Sequence, residues 1–309
     1  MSVYYKDSNN NDIGGIIKLY SATNVDPTTT STQLSITSYY TNFPIGYSSG
    51  TYRLKKLNAS NNNNKLGFAY GGVDVADTFS AYYEDYTNTD SVNIDLTSRR
   101  KFTKAAFVLI GGGGKGGAGF NRGKLSGGDG GGGGGASGSV IITKPIDITT
   151  YTSLSIKAGI GGTSETGGLG GAVEFWESST KKMYILAWGG ESGTSATSNT
   201  DGIGGISIGL YVEYNGVIYQ TWNDTLNNII HWYQPGNIGN NGSSTAGGQG
   251  RSIPTGYSAY TPELPSAVGS GNGISGSGYG VGGNGGYSSN SIVGGNGTNG
   301  FARVYYYTR

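Results

Sequence analysis

The sequence contains no cysteine, which excludes disulfide bonds and thiolate chemistry. Only 13% of its 309 residues are charged, about half the share in an average protein. The 20 basic and 19 acidic side chains leave a formal charge of +1. Electrostatics therefore predicts neither nucleic acid nor an anionic membrane surface as a partner. No apolar run reaches the ~18 residues of a membrane-spanning helix, so we expect no membrane insertion.

The first residues lack the basic and apolar regions of a signal peptide. We therefore expect synthesis in the cytoplasm of whatever cell makes it, and any route out of that cell would be one that needs no signal peptide, of which assembly into a virus and lysis is an example.

Residues for catalysis are also scarce. The single histidine, His231, lies between Ile230 and Trp232, a setting more typical of a packed side chain than of a base or a ligand. Without cysteine or a second histidine, the usual zinc ligand sets are unavailable. Residues 46–50 match the nucleophile-elbow pattern, but residues 52–54 predict a strand where that motif needs a helix.

Residues 111–119 form a burst of glycine around Lys115, directly after an apolar run. Gly111, Gly113 and Gly116 match the pattern of dinucleotide-binding loops, which requires a following helix to receive the pyrophosphate. The glycine-rich residues that follow predict no helix, and Gly116 occupies the place where a P-loop has Ser or Thr. We expect no catalytic, cofactor-binding or metal-binding residues in the chain.

Glycine is the abundant residue, with 60 copies against roughly 7% in average proteins. Seven of them lie in residues 1–100 and the other 53 follow, which predicts a domain boundary near residue 100. We predict an N-terminal β domain over 1–100 and a glycine-rich domain over 101–309.

Short runs of β-branched and aromatic residues predict strands on both sides of that boundary. Before it they cover 16–20, 33–37, 51–54 and 66–70, while 78–86 fits a short helix or a strand. After it they cover 104–110, 139–143, 154–158, 172–176, 183–188 and 301–307. Within 210–222, Asn215 and Gly216 separate two strand-like arms and predict a tight hairpin. The predicted fold class is all-β.

Many glycines recur every third residue. One frame holds Gly273, Gly276, Gly282, Gly285, Gly294, Gly297 and Gly300, and shorter frames recur in 236–248, 159–171 and 111–117. Three residues per turn is the period of the extended left-handed helix, which has no internal hydrogen bonds. Packed polyglycine-II-like helices, including one over 273–285, are therefore predicted. Mobile Gly/Ser loops are the alternative.

The order of these segments resembles a known family. A strand leads into glycine at 107–119, short strands follow at 138–142 and 154–162, and residues 294–306 close the chain with Asn-Gly-Phe-Ala-Arg-Val. This layout resembles the glycine-rich domains of bacteriophage tail-fibre and adhesin proteins and related virion proteins of large DNA viruses. The resemblance covers about 101–309, with a hairpin insertion at about 206–235, and implies a structural or receptor-binding role without catalytic residues.

We expect a non-enzymatic virion protein, either a tail-fibre adhesin or a capsid-surface component, oligomeric in the particle. Residues 1–100 would attach to other virion proteins, and loops of the second domain would contact a host glycan or protein. Tyr257, Tyr260, Tyr279 and Tyr287 are the candidate contact residues, because tyrosine gives a large contact area at small entropic loss. The alternatives are an ice-binding protein and a virion-attached polysaccharide-degrading enzyme.

Overall fold

The computed structural model describes residues 2–3, 17–18, 32–36, 50–56, 66–70, 73–74, 82–99, 102–122, 129–164, 167–207, 209–221, 223–254, 266–287 and 293–307. The regular elements of this part of the chain are β-strands and two short 3₁₀ turns, at Thr97–Arg99 and Leu226–Asn228. The predicted all-β class is confirmed for this part of the chain. No helix among the described residues has the length and apolar character of a membrane span.

The N-terminal strands form two small antiparallel sheets. Strand β1 (Ser2–Val3) pairs with β2 (Ile17–Lys18). A four-stranded sheet runs in chain order through β3 (Thr32–Ile36), β4 (Gly50–Lys56), β5 (Leu66–Tyr70) and β6 (Val73–Asp74). The strands predicted near 33–37, 51–54 and 66–70 are confirmed.

Two six-stranded antiparallel sheets make up the main body. The first sheet contains β7 (Tyr82–Tyr86), β9 (Lys104–Ile110), β10 (Val140–Thr143), β11 (Ile146–Asp147), β17 (Ile230–Gln234) and β20 (Phe301–Tyr307). Its order is β17-β10-β9-β20-β7, with β11 also paired to β9.

The second sheet contains β8 (Val92–Asp95), β12 (Ser153–Lys157), β13 (Gly171–Glu177), β14 (Thr180–Ala187), β15 (Leu210–Tyr214) and β16 (Val217–Tyr219). Its order is β16-β15-β14-β13-β12-β8. Strands β18 (Ser266–Ala267) and β19 (Ser277–Gly278) form a separate pair.

The two sheets pack face to face around one shared core. Phe107 of the first sheet meets Phe175 of the second edge to face, with ring centroids 5.3 Å apart. Strand β9 is buried on both faces. Its residues Ala105, Phe107 and Leu109 join the shared core, and Ala106, Val108 and Ile110 join a second apolar cluster. This two-sided burial explains why β9 is a continuous apolar run rather than an alternating one.

The predicted hairpin is confirmed. Asn215 and Gly216 connect β15 to β16, with φ values of 51° and 75°. Two successive residues with positive φ are the requirement of a type I′ turn, which Asn-Gly satisfies with little strain. The segment 78–86, predicted as helix or strand, is a strand over its described part, Tyr82–Tyr86.

Two strands that precede residue 100 belong to the main sheets. Strand β7 pairs with β20 at the end of the chain, and β8 pairs with β12. The division into two domains at residue 100 stays a prediction, and these pairings place residues 82–95 with the strands that follow it.

Candidate functional site

Glycine-rich segments extend from one end of the sandwich. We call these segments together the glycine bundle: 111–119, 130–139, 158–162, 167–170, 188–196, 202–206, 236–242, 246–250, 281–287 and 293–300. In the first sheet, Ile110 pairs with Val140 and Phe301, so the strand ends adjoining the bundle lie side by side. In the second sheet, Ala187 likewise pairs with Gly171 and Leu210.

Within segment 130–139, the backbone amides of residues 131–139 donate hydrogen bonds to three neighbouring segments in a repeating order. Every third amide returns to the same neighbour, to a carbonyl three residues earlier in that neighbour. From residue 131 to residue 139, the acceptors are the carbonyls of Ser243, Gly286, Thr194, Asn240, Gly283, Glu191, Asn237, Gly280 and Trp188, at 2.8–3.0 Å. The segment therefore has a three-residue period in its hydrogen bonding.

Segment 111–118 lies at the centre of the bundle. Its hydrogen bonds and close backbone approaches reach six surrounding segments: 133–139, 188–196, 167–169, 159–162, 294–300 and 280–287. Gly111, Gly113 and Gly116, which match the dinucleotide pattern, donate their amides to the carbonyls of Ser139, Thr298 and Gly295. Amides bonded in this way have no proton left to offer a phosphate.

The glycines of the bundle are required by the approach of neighbouring backbones. A Cβ atom added at Gly111, Gly114 or Gly117 would lie closer than 3.0 Å to the carbonyl oxygen of Trp188, Glu191 or Thr194, respectively. These acceptor residues are also three apart. Because a backbone carbonyl cannot move aside as a flexible side chain can, side chains are excluded at these positions.

Along one side of segment 111–118, two serine hydroxyls take the place of backbone carbonyls as hydrogen-bond acceptors. The Gly112 amide donates to the carbonyl of Leu169 at 3.0 Å. Farther along, the amides of Lys115 and Ala118 donate to the Oγ atoms of Ser192 and Ser195, both at 3.1 Å. The hydroxyls satisfy partly buried amides, and both serines line a small groove.

Asn284 connects several segments through one buried side chain, which is 1% exposed. Its Oδ1 accepts the Gly250 amide at 2.8 Å. Its Nδ2 donates to the carbonyls of Gly269 at 2.7 Å and Gly271 at 2.6 Å. No sequence pattern distinguishes Asn284, Ser192 or Ser195, since hydroxyl and amide residues are common throughout the chain.

The end of the bundle away from the sandwich carries a set of turns, which we call the distal loops: 119–122 with 129–130, 197–201, and 243–246. Phe120 and Gly130 exchange two backbone hydrogen bonds, of 2.9 and 2.8 Å. Turns close at Thr197, whose amide donates to the Thr200 carbonyl, and at Ser243, whose amide donates to the Ala246 carbonyl.

Arg122 joins two of the distal loops. Its Nη2 lies 3.0 Å from the Asp201 carboxylate, and its Nε donates to the Thr197 carbonyl at 3.1 Å. This ion pair has side-chain exposures of 11% for Arg122 and 31% for Asp201. The two loops are therefore held together by a partly buried charge pair. Phe120, in the same loop as Arg122, is 38% exposed.

The four candidate contact tyrosines do not lie together on one surface of the described structure. Tyr257 and Tyr260 lie outside the described residues. The half-buried Tyr279 packs beside Phe301 near the sandwich, with ring centroids 5.0 Å apart. Tyr287 lies at the distal end, where its hydroxyl donates to the Ser244 carbonyl at 3.1 Å. The described part therefore brings only Tyr287 to the distal loops.

The prediction of a single extended segment over 273–285 is wrong. Gly273, Gly278 and Gly280 have φ values of 65°, 85° and 65°, and Gly278 belongs to β19. A left-handed extended helix needs φ near −75°, so residues 273–280 turn, and the bundle segment begins at Val281. Val281 is buried and Ile274 is 47% exposed.

Exposed aliphatic side chains line the flanks of the bundle. More than half of the side chain is exposed at Leu169, Ile203, Ile206, Ile238 and Val293. Ile203 and Ile206 are three residues apart, so a three-residue period places them on the same side of their segment. Gly239, which follows Ile238, donates its amide to the Gly205 carbonyl, so the Ile238 segment lies next to theirs.

A polar cluster lies along the edge strand β7 of the first sheet. The Glu84 carboxylate accepts the hydroxyls of Tyr86 at 2.6 Å and Tyr306 at 3.1 Å, and Nη1 of Arg99 lies 2.6 Å away. Burial, assisted by the Glu84 charge, raises the pKa of Tyr86 and of Tyr306 above the usual tyrosine value. With three donors on its two oxygens, this carboxylate acts as a cross-link between β7, β20 and the 3₁₀ turn.

In the described ranges, no three side chains of His, Cys, Asp or Glu come together as metal ligands would. No protein-family model matches the chain, and the search of curated proteins found no sequence match.

Proposed function

We propose that this chain is a non-enzymatic structural protein of a virus particle. In this proposal the glycine segments are packed polyglycine-II-like helices that hold the distal loops on a rigid support, and those loops contact a host surface glycan or protein. The observation that carries the proposal is that nine successive amides donate hydrogen bonds, in a repeating order, to three neighbouring segments.

The hydrogen-bond period supports the helix assignment. An extended left-handed helix has three residues per turn and a rise of about 3.1 Å per residue, so the nine amides 131–139 would span about 25 Å. Because such a helix has no internal hydrogen bonds, all its amides are directed sideways to neighbours, as they are in this segment. Where an added Cβ atom would meet a neighbouring backbone, as at Gly133 and Gly134, the close approach of the bonded segments requires glycine.

Rigidity is the property that a display scaffold needs. Each ordered residue loses about 1–2 kcal/mol of backbone entropy on folding, while one net hydrogen bond returns about 0.5–1.5 kcal/mol. A single glycine segment is therefore unstable, and the bundle holds because each segment is bonded to several others and anchored to a strand. Loops that connect such segments tolerate sequence change without breaking the inter-segment bonds.

We propose that residues 1–100 attach the chain to other virion proteins and that the protein is oligomeric in the particle. Residues 82–95 of that region are built into the sandwich, so attachment falls to residues before β7. The virion surface, a tail or a fibre is the proposed location.

Purified particles test this proposal directly. We expect the chain to co-purify with intact particles at a fixed copy number, and antibody against the distal loops to label the particle surface. An Arg122→Ala variant should reduce attachment to host cells, whereas Lys182→Ala, on the sandwich, should not. Absence of the chain from purified particles would refute the proposal, and so would release of reducing ends from a host polysaccharide by the purified chain.

Ice binding is the second candidate function, and the flank residues favour it. Ile203 and Ile206 are exposed at three-residue spacing, and Ile238 is exposed on the adjacent segment. A regular row of uncharged side chains on rigid helices is the kind of face that ice-binding requires. Thermal hysteresis that disappears in Ile203→Lys would support it, and no hysteresis in the wild-type protein would exclude it.

A further inference from the structure

Six Asn-Gly dipeptides occur in the chain, at 215–216, 241–242, 272–273, 284–285, 296–297 and 299–300. Asn-Gly is the dipeptide most open to deamidation, because glycine has no side chain to hinder attack by its own backbone nitrogen on the preceding side-chain carbonyl carbon. The reaction needs a glycine nitrogen that is free to lose its proton and to rotate towards that carbon. The six dipeptides can therefore be compared by the bonding of their glycine amides.

In five of the six, the glycine amide is held in a hydrogen bond to another segment. The acceptors are the carbonyls of Gly202 for Gly242, Gly285 for Gly273, Gly248 for Gly285, Gly162 for Gly297 and Gly159 for Gly300, at distances of 2.7–3.0 Å. Attack would require each of these bonds to break and the surrounding segments to separate.

The asparagine side chains of these five are mostly restrained as well. The Oδ1 atoms of Asn241, Asn272 and Asn299 accept the amides of Gly204, Gly247 and Gly161, respectively, at 2.8–3.0 Å. Asn284 has bonds at both ends of its amide group. Rotation of these side chains towards the following nitrogen is therefore blocked too.

The sixth dipeptide differs in every respect. Asn215 and Gly216 form the exposed tip of the β15–β16 hairpin. A Cβ added at Gly216 would meet nothing within 4 Å, and the Gly216 amide donates to no described residue. The tip is followed by the three-residue edge strand β16, so it can deform without disturbing the core.

We propose that Asn215 is a site of spontaneous deamidation in the folded protein, and that the bundle protects the other five Asn-Gly dipeptides. The Gly216 nitrogen forms a bond to Cγ of Asn215, and the side-chain amide leaves as ammonia, carrying the proton lost by the Gly216 nitrogen. Water then opens the resulting succinimide at either carbonyl, which gives aspartate or isoaspartate. No oxidant, reductant or enzyme is needed.

The product changes the hairpin in two ways. Either form adds one negative charge at a turn that already has Glu213 nearby on β15. Isoaspartate also inserts an extra carbon into the backbone between Tyr214 and Val217, which are directly paired across the hairpin. A two-residue type I′ turn has no room for that carbon, so β16 is expected to detach from β15 in aged protein.

Ageing of the intact folded chain in mildly alkaline buffer tests the proposal, with a second sample aged in denaturant. Peptide mapping would measure the exchange of NH₂ for OH at each asparagine, and separation of the isomeric peptides would identify isoaspartate. In the folded sample, we expect Asn215 to convert at a rate within a few-fold of its rate in denaturant. The other five should be slowed by at least about tenfold, because their conversion requires local opening of the bundle.

Two variants complete the design. Asn215→Ser should abolish the conversion at the hairpin and leave the other five rates unchanged. Freshly prepared Asn215→Asp carries the charge without the backbone change, so aged wild-type protein should lose β16 pairing while the fresh variant keeps it. Conversion at Asn215 as slow as in the bundle would overturn the proposal, and so would rapid conversion of Asn284 or Asn299 in the folded chain.

Discussion

Asp85 and Arg303 form a two-point ion pair across the β7–β20 ladder. Nε of Arg303 lies 2.6 Å from Oδ1 of Asp85, and Nη2 lies 2.9 Å from Oδ2. The Arg303 side chain is 3% exposed, and its guanidinium carbon lies 4.3 Å from the centre of the Tyr83 ring. The pair joins a strand before residue 100 to the last described strand of the chain, so it ties the edge of the first sheet to its interior.

Asp85→Ala should destabilise the protein. Removal of the carboxylate leaves a nearly buried guanidinium without its two charge-assisted hydrogen bonds, and Asp85 itself is 39% exposed. We expect a loss of about 1–3 kcal/mol in the free energy of unfolding, measured by denaturant titration. The exposed Asp90→Ala is the control, and an equal effect of both changes would contradict the importance of the pair.

Gly114→Ala should destabilise the bundle strongly. The added methyl carbon would collide with the Glu191 carbonyl, so we expect a loss at or above about 3 kcal/mol, the upper end of overpacking effects. Gly216→Ala is the matched control, because it meets nothing within 4 Å. Because Gly216 has a left-handed φ, alanine at this position should cost about 1–2 kcal/mol in the free energy of unfolding. Thermal unfolding of both variants would distinguish the two costs, and a smaller loss at Gly114 would argue against close backbone packing.

Ser192→Ala should destabilise the protein, because it leaves the Lys115 amide without its hydrogen-bond acceptor. It removes the acceptor of the Lys115 amide and the donor to the Ser164 carbonyl. A destabilisation of about 1–3 kcal/mol is expected, together with faster hydrogen exchange at residue 115. Ser198→Ala, in an exposed turn, should change neither quantity. Unchanged exchange at residue 115 in the Ser192 variant would show that the hydroxyl is not needed.

Asn284→Asp should be more damaging than any exposed amide-to-acid change. The substitution replaces a donor of two hydrogen bonds by a charged acceptor that faces the carbonyls of Gly269 and Gly271. A buried and repelled carboxylate should cost about 3–5 kcal/mol at neutral pH. Asn237→Asp, at an exposed position, is the control. Circular dichroism melting that shows equal effects would contradict the role assigned to Asn284.

Alkaline pH should weaken the packing of the edge strand β7 on the first sheet. The pKa values of Tyr86 and Tyr306 are raised by burial and by Glu84, so the folded state holds these protons more tightly than the unfolded state does. Their contribution is complete below the ordinary tyrosine pKa of 10.0 and is lost as pH rises above it. The free energy of unfolding should therefore fall above about pH 10, and less steeply in Tyr86→Phe. An unchanged slope in that variant would contradict this assignment.

Much of the β-structure could be predicted from local pattern. The runs Lys104–Ile110 and Phe301–Tyr307 are strands over the predicted bounds, because burial on both faces favours a largely apolar sequence. Arg303 is the charged exception within the second run, and it is paired with Asp85. Asn215-Gly216 predicted its turn because few other pairs accept two positive φ values. The segment 273–285 was predicted wrongly because glycine serves both close packing and left-handed turns, and its spacing alone does not separate the two.

The candidate site was less predictable. Tyr279 packs beside Phe301 instead of facing outwards, and Arg122 reaches Asp201, which is 79 residues away in the chain. Neither contact has a local signal, since each depends on how distant segments are arranged.

The sequence alone determined where side chains are missing at three-residue intervals and where apolar runs become strands. Only the tertiary structure decided which segments surround 111–118, where serine hydroxyls complete the bonding, and which turns meet at the distal end. The physical reason is that an extended backbone with three residues per turn has no hydrogen bonds within itself. Its partners must come from elsewhere in the chain, and glycine, which is the same at every position, cannot specify which partner each amide finds.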